Sequence, residues 1–387
     1  MLQLNFNEKT EKFRNDFKSW LNSNPPPLLA SHAALDEFVE VSSKWQATLA
    51  VARFIGVHFP EEYGGRGLGI VEEAIIQEEL ARKNAPQLVG LFGLTMVGPV
   101  LLRYGTAEQK LRYLPKILSA EELWCQGFSE PGAGSDLASL KTSAIATATG
   151  WEVTGQKIWT SFAQYAKWCF LLVRTDQAAA KHKGLSYLLT PMSAPGITVR
   201  PLTQITGDQE FNEVFFDSTP IASENIVGNA GEGWKIAIST LMFERVILTF
   251  ARHLQSEAAL NEIAQTLVTK NSPEHLRTQF GRLLAKNMAV RTLALSHLVN
   301  YTADNPPGPE GSCDKLLWSE TFQEISKFGL DILGDSKIFT GEESYLQGAF
   351  QHRYLYSRGR TIAAGTSEIQ RNIIAERILG LPKANIQ

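Results

Sequence analysis

The chain has 387 residues, of which 44% are hydrophobic and 20% charged, and its formal net charge is −3. That length and apolar share exceed one ordinary domain and suit two or three lobes with large cores. The near-balanced charge argues against a nucleic-acid partner, which calls for a basic stripe, and no stretch approaches the ~18 uninterrupted apolar residues of a membrane span.

In chain order, Met1 to Thr10 lacks the basic flank and apolar run of an export signal, so a cytoplasmic protein is expected. Residues 8 to 22 carry Phe13, Phe17, Trp20 and Leu21 at helical spacing, and Pro25 to Pro27 end that helix. Ile70 to Lys83 and Gln109 to Leu118 are predicted as further helices, the second after a turn at Tyr104, Gly105 and Thr106. The first ~120 residues therefore read as all-α.

From about Trp124 the pattern shifts to short β-like runs divided by Gly, Pro, Asn and Asp: Trp151 to Val153, Trp168 to Val173, Leu185 to Leu189 and Glu213 to Phe216. Past Gly231-Glu232-Gly233 the helical period returns, around 234 to 268, 274 to 302, 314 to 333 and 362 to 379. Asn305 to Gly311, rich in proline and glycine, reads as an exposed turn between two of these helices. The expected division is 1–120 helical, 121–230 β and 231–387 helical, an α+β chain.

Two segments stand out chemically. Ser129-Glu130-Pro131-Gly132-Ala133-Gly134-Ser135-Asp136 joins small residues to hydroxyls, which suits the cradling of a pyrophosphate or an extended cofactor and equally describes an ordinary tight turn. Gly155-Gln156-Lys157-Ile158-Trp159-Thr160-Ser161 ends a strand with an aromatic and two hydroxyls, so Trp159 could stack on a flat ring or simply fill the core. Cys125, Cys169 and Cys313 are scattered and odd in number, as expected of reduced thiols, with Cys125 read as a buried, inert one. The seven histidines lack ligand spacing with one another or with cysteine, so no metal is expected, and His253 reads as packed or solvent-facing.

Several separated motifs in one order resemble the acyl-CoA dehydrogenase family from end to end: Phe59-Pro60-Glu61-Glu62-Tyr63-Gly64-Gly65, Glu108-Gln109-Lys110 with Tyr113-Leu114-Pro115, the run from Glu130 to Asp136, Gly155-Gln156-Lys157 with Trp159, and Ala364-Gly365-Thr366-Ser367-Glu368-Ile369-Gln370-Arg371. The resemblance implies an N-terminal helical domain, a central β-barrel-like domain and a C-terminal four-helix bundle, with FAD as cofactor in a homotetramer. By that resemblance, Phe128 and Ser129 line the flavin ring, Gly134 and Ser135 approach the pyrophosphate, Trp159 and Ser161 cover the flavin near its reactive nitrogen, and Thr366 and Glu368 touch the cofactor. A hydride acceptor must be held in a fixed orientation to the substrate's β-carbon, which is why such a cradle is needed.

Family members place the carboxylate base at one of two positions. The position just before the C-terminal Gly-Thr pair is Ala364 here, which accepts no proton. The other, used by isovaleryl- and long-chain-type enzymes, lies on the helix after the β domain and matches Glu244 in Leu241-Met242-Phe243-Glu244-Arg245-Val246. Apolar neighbours would raise its pKa, as suits a general base; on spacing alone, Glu244 also reads as a surface residue paired with a basic neighbour. The resemblance gives the thioester oxygen hydrogen bonds from the backbone near Gly365 and from the flavin ribityl.

The chain departs from the family pattern in two places. Arg277-Thr278-Gln279-Phe280-Gly281-Arg282 echoes a cross-subunit FAD element but falls too far downstream, and Asp331-Ile332-Leu333-Gly334-Asp335 replaces the family's Gln-x-x-Gly-Gly. These changes, with Asp208 to Phe216, resemble a bacterial branch acting on bulky or unusual acyl groups, some members of which form mixed tetramers. Similarity to the prolyl-carrier-protein oxidases of the anatoxin pathway implies a prolyl thioester on an acyl carrier protein, in secondary metabolism. The alternatives are a short- or branched-chain acyl-CoA dehydrogenase and a non-catalytic subunit of a mixed tetramer. Coenzyme A or a carrier protein bears the acyl group in these readings, and oxygen or a flavoprotein accepts the electrons.

Overall fold

The computed structural model describes residues 7–29, 33–301, 308–339, 341 and 344–383, with side chains at all of these except 244–251. It divides into two compact units, 1–244 and 245–387. Among the described residues, no helix is long and apolar enough to cross a membrane.

The first unit opens with α1 (Glu8–Ser23), whose Asn7 side chain caps the helix by accepting from Thr10 N at 3.0 Å. Phe13, Phe17 and Leu21 of α1 are buried, as their spacing predicts. They pack with α2 (Leu35–Val51), α3 (Ile70–Arg82), α4 (Gly98–Tyr104) and α5 (Ala107–Leu118). Helix α5 starts in a capping box in which Thr106 and Gln109 satisfy each other's backbone amides, so the chain turns at Gly105 and Thr106 for a local reason, while Tyr104, expected in the turn, is the last residue of α4.

The first strand, β1 (Trp124–Gly127), is followed by β2 (Ser143–Thr147), β3 (Gly150–Ser161), β4 (Trp168–Arg174), β5 (Leu185–Pro191), β6 (Ile197–Leu202), β7 (Phe211–Ala222) and β8 (Ile226–Val227). Strand β4 is buried on both faces, which is why it reads as an unbroken apolar run. Phe170 and Leu172 point into the core shared with the helices, and Cys169, Leu171 and Val173 into a second core with Val153, Leu188 and Val214. The pairing runs β6-β7-β3-β2-β4-β5-β8, with β1 parallel to β4. The barrel-like expectation is thereby corrected to an open sheet whose path ends at β6 and at β8, a strand of two residues with little backbone left to pair.

Helix α6 (Gly233–Thr269) runs across the boundary between the units. The second unit also holds α7 (Glu274–Leu298), α8 (Gly311–Asp331), α9 (Ala349–Arg360) and α10 (Ser367–Ile373). Leu260 and Ile263 of α6, Leu283 of α7, Ile325 and Phe328 of α8 and Phe350 of α9 share one core. The helix expected to begin at 362 instead begins at Ser367, because Ala364 and Gly365 adopt left-handed backbone, with φ of 56° and 93°. Residues 305–307 of the proline-rich turn lie outside the described residues, and Gly311 is already the first residue of α8.

Phe17 is fully buried, with its ring centroid 4.9 Å from that of Phe54. Phe17→Ala is expected to cost about 3–5 kcal/mol, seen as a lowered urea midpoint at an unchanged slope.

Candidate active-site elements

In the first unit, the glycine-rich loop and the end of β3 are stitched together. Ile158 N donates to Ser129 O at 2.9 Å, and Lys157 Nζ donates to Phe128 O at 3.1 Å and to Glu130 Oε1 at 2.9 Å. The Glu130 carboxylate also accepts from Lys141 N at 2.7 Å and Thr142 N at 2.8 Å. Lys157 is fully buried and Glu130 nearly so, and a buried charge is tolerable only when paired and hydrogen-bonded as here. Burial pushes the Lys157 ammonium down to about 8 against the opposing pull of Glu130. Burial alone would raise the Glu130 carboxyl, but Lys157 and the two amide donors together hold it below its ordinary 4.5.

The β3–β7 register slips between Lys157 and Thr160, and at this bulge Trp159 takes a left-handed φ of 60°. Its side chain is not core: Trp159 is 58% exposed and meets Phe211 only edge-on. A non-glycine residue in this conformation is strained, and a large aromatic turned outward under strain is ready to stack on a planar ligand. Ser129 and Ser161 are half-buried, and neither hydroxyl bonds to a protein group among the described residues. The Phe128 ring, by contrast, is buried edge-on against Phe170 and Tyr187, so Phe128 has only backbone to offer a ligand.

Gly134 and Ser135 are exposed. A Cβ added at Gly132 or Gly134 would meet nothing within 4 Å, and neither residue has a left-handed φ. Neither packing nor conformation within the chain demands glycine there, and the open space beside them leaves the backbone accessible to close approach by a ligand. These features fit an extended cofactor with a flat ring at one end.

In the second unit, Thr366 and Glu368 line a cleft of about 590 Å³ with Gln323, Arg358 and Arg371. Just before them, Gln370 Nε2 donates to the carbonyls of Ala364 at 2.9 Å and Gly365 at 3.1 Å, and Lys315 Nζ to that of Gly365 at 2.7 Å. The N–H groups of Ala364, Gly365 and Thr366 donate to no acceptor among the described residues. Successive free amides around a left-handed bend form a concavity that attracts an electron-rich oxygen.

Glu244 lies on α6, and its side chain falls outside the described residues. Cys125 is fully buried, and burial pushes its thiol well above the ordinary value. His253 is buried, with Asn287 Nδ2 bonded to its carbonyl at 3.2 Å. No metal-binding cluster occurs among the described residues. Sequence reasoning quoted Glu130, Lys157 and Gln370 inside motifs without giving them parts, although two charges among small and apolar residues were a signal. Lys315, on a mixed helical face, offered none.

Three family models match the chain in order: acyl-CoA dehydrogenase N-terminal domain at residues 7–121, middle domain at 125–219 and C-terminal domain at 231–379. Acyl-CoA dehydrogenase IpdE1 of Mycolicibacterium smegmatis is 40% identical, over 97% of this chain and 98% of that protein. A solved structure described as the Tcur3481-Tcur3483 steroid ACAD is similar over 99% of this chain and 100% of that one, with TM-score 0.85 and 27% identity. The crystal structure of the prolyl acyl carrier protein oxidase AnaB covers 97% of this chain and 100% of its own at TM-score 0.81 and 21% identity, a likeness of fold alone.

Because the folded-state pKa of Glu130 is depressed, its contribution to stability is complete above pH 4.5 and is lost as pH falls through the lowered value. Glu130→Ala strands the buried Lys157 and is expected to cost about 3–5 kcal/mol at neutral pH, with a smaller penalty in acid. Urea unfolding of both proteins from pH 7 downward measures the convergence.

Proposed function

The chain belongs to the acyl-CoA dehydrogenase family, and from that footing we propose that it desaturates the α,β bond of a coenzyme A thioester whose acyl group is bulky and ring-bearing, with Glu244 as the base. Family membership itself makes the chain an FAD-dependent enzyme acting on acyl thioesters, with the family's N-terminal, middle and C-terminal domains. The observation that carries the mechanistic reading is the set of free amides at 364–366 beside a position, Ala364, that holds no acid.

In this reading, Glu244 removes the α-proton and the amides around Gly365 hold the thioester oxygen as negative charge gathers on it. FAD, when bound, supplies the hydride acceptor for the β-carbon. The backbone of Phe128 and the hydroxyls of Ser129 and Ser161 orient the flavin ring, Trp159 stacks on it, the loop at Gly134 and Ser135 takes the pyrophosphate, and Thr366 and Glu368 are further cofactor contacts. The four-helix-bundle form of the C-terminal domain, the boundaries near 120 and 230, and a tetrameric assembly of like or mixed subunits belong to the same proposal.

The likeness to a structure named for steroid chemistry favours a fused-ring acyl group on coenzyme A. It outweighs the prolyl-carrier reading, which has support in fold only. The test is an anaerobic titration of the flavin-loaded chain with a steroid-derived acyl-CoA, butyryl-CoA and prolyl-carrier protein. The steroid-derived thioester is expected to bleach the flavin band fastest. Glu244→Gln should slow that bleaching by about 10²–10⁴-fold while retaining the flavin. Bleaching that survives the substitution overturns the assignment of the base, and faster reaction with the prolyl carrier overturns the substrate.

A further inference from the structure

Along β3, strand alternation puts Val153 and Lys157 on the buried face and would next put Trp159 there too. The chain does otherwise, because the steps from Lys157 to Thr160 on β3 are matched by one fewer on β7, from Val214 to Asn212. An extra residue exchanges the two faces beyond it, so Thr160 is fully buried and Trp159 is turned out. This register is costly. Trp159 takes a left-handed φ of 60° and Phe162 one of 55°, and the buried Thr160 hydroxyl has no hydrogen-bond partner among the described residues.

Asn212 stands opposite Thr160 in that register and is fully buried. Its Nδ2 donates to the Thr160 carbonyl at 3.0 Å, to the Glu210 carbonyl at 3.4 Å and to Gln164 Oε1, and Gln164 Nε2 donates in turn to the Gln209 carbonyl at 3.0 Å. Backbone carbonyls only accept, so they fix which end of the Asn212 amide faces them. The other end, Oδ1, is buried with no partner among the described residues. A leucine, with the same branched shape, would avoid that penalty, so what the amide adds is its donors. They fall on the carbonyl that lies between the two left-handed residues.

We propose that Asn212 is a positioning residue for the flavin: by holding the Thr160 carbonyl it locks the bulge and keeps Trp159 aimed at the ring. The inference rests on the reading of Trp159 as a flavin contact. Without the Asn212 donors the strained register loses a restraint, and β3 relaxes toward ordinary alternation with Trp159 turning in toward the sheet. Asn212 is itself sealed from solvent, so it acts through Trp159 and not on the ligand.

Flavin emission reports the aim of Trp159, because an indole stacked on the ring quenches it. The emission lifetime and the flavin dissociation constant are measured for the flavin-loaded wild type, Trp159→Phe, Asn212→Leu and the double variant. Trp159→Phe is expected to lengthen the lifetime. Asn212→Leu should lengthen it most of the way to the same value and weaken flavin binding about tenfold. The double variant should match Trp159→Phe, because the two substitutions break one contact. Leu188→Ala, on a strand that does not pair with β3, thins the second core and should lower the urea midpoint while leaving the lifetime as in wild type.

An unchanged lifetime in a folded, flavin-retaining Asn212→Leu overturns the proposal. Equal lengthening in Leu188→Ala also overturns it, since general loosening would then be the cause. So does a double variant whose lifetime exceeds that of Trp159→Phe, or loss of flavin from Asn212→Leu where Trp159→Phe retains it, since Asn212 would then act elsewhere. Should Asn212→Leu fail to fold, Asn212→Ala carries the same comparisons. If Trp159→Phe changes neither lifetime nor affinity, the assignment of Trp159 to the flavin is refuted and the proposal falls with it, a failure distinct from that of Asn212 alone.

Discussion

The arrangement of the first unit depends on one buried ion pair. Lys157 and Glu130 meet where the glycine-rich loop passes the end of β3, and two backbone amides complete the shell around the carboxylate. An apolar pair could have filled the same volume with less desolvation. It could not have bonded at once to the Phe128 carbonyl and to the amides of Lys141 and Thr142. The pair fixes the path of a loop whose own small residues have few side-chain atoms with which to fix it.

The second unit solves a similar problem with similar means. Ala364 in left-handed backbone costs about 1–2 kcal/mol relative to an ordinary conformation, and the bend it makes persists because Gln370 and Lys315 secure the carbonyls on one side. In both units, buried polar side chains take up backbone carbonyls. In the second, the amide N–H groups of residues 364–366 are left without an acceptor among the described residues, the feature on which the proposed stabilisation of the thioester oxygen rests. Neither case needs a serine or cysteine nucleophile, and Cys125 is sealed in the core.

Family membership and substrate rest on different kinds of observation. Membership follows from three domain models in order and from 40% identity over nearly the whole of a relative. Substrate choice depends on the walls of the acyl pocket, which vary among enzymes that share the same cofactor cradle. The steroid reading accordingly draws on likeness to one structure rather than on the residues that hold the flavin.

The sequence alone determined the elements with strong periodicity and the motifs with unusual composition. The face Phe13, Phe17 and Leu21 predicts α1, and the apolar run from Trp168 to Val173 predicts a strand, because burial imposes those patterns residue by residue. The loop from Ser129 to Asp136 and the segment ending at Ser161 were visible as motifs. Only the tertiary structure joined them, through the bond from Ile158 to Ser129 and the pair Lys157 and Glu130, since residues 27 positions apart carry no local signal of contact. It also decided that Trp159 faces outward at a bulge, that the Phe128 ring faces inward, that the sheet's recorded path is open, and that the helix expected from 362 begins at Ser367. Local pattern reports which residues prefer burial; long-range hydrogen bonds and backbone strain, which fix how functional groups are aimed, are settled only when distant segments meet.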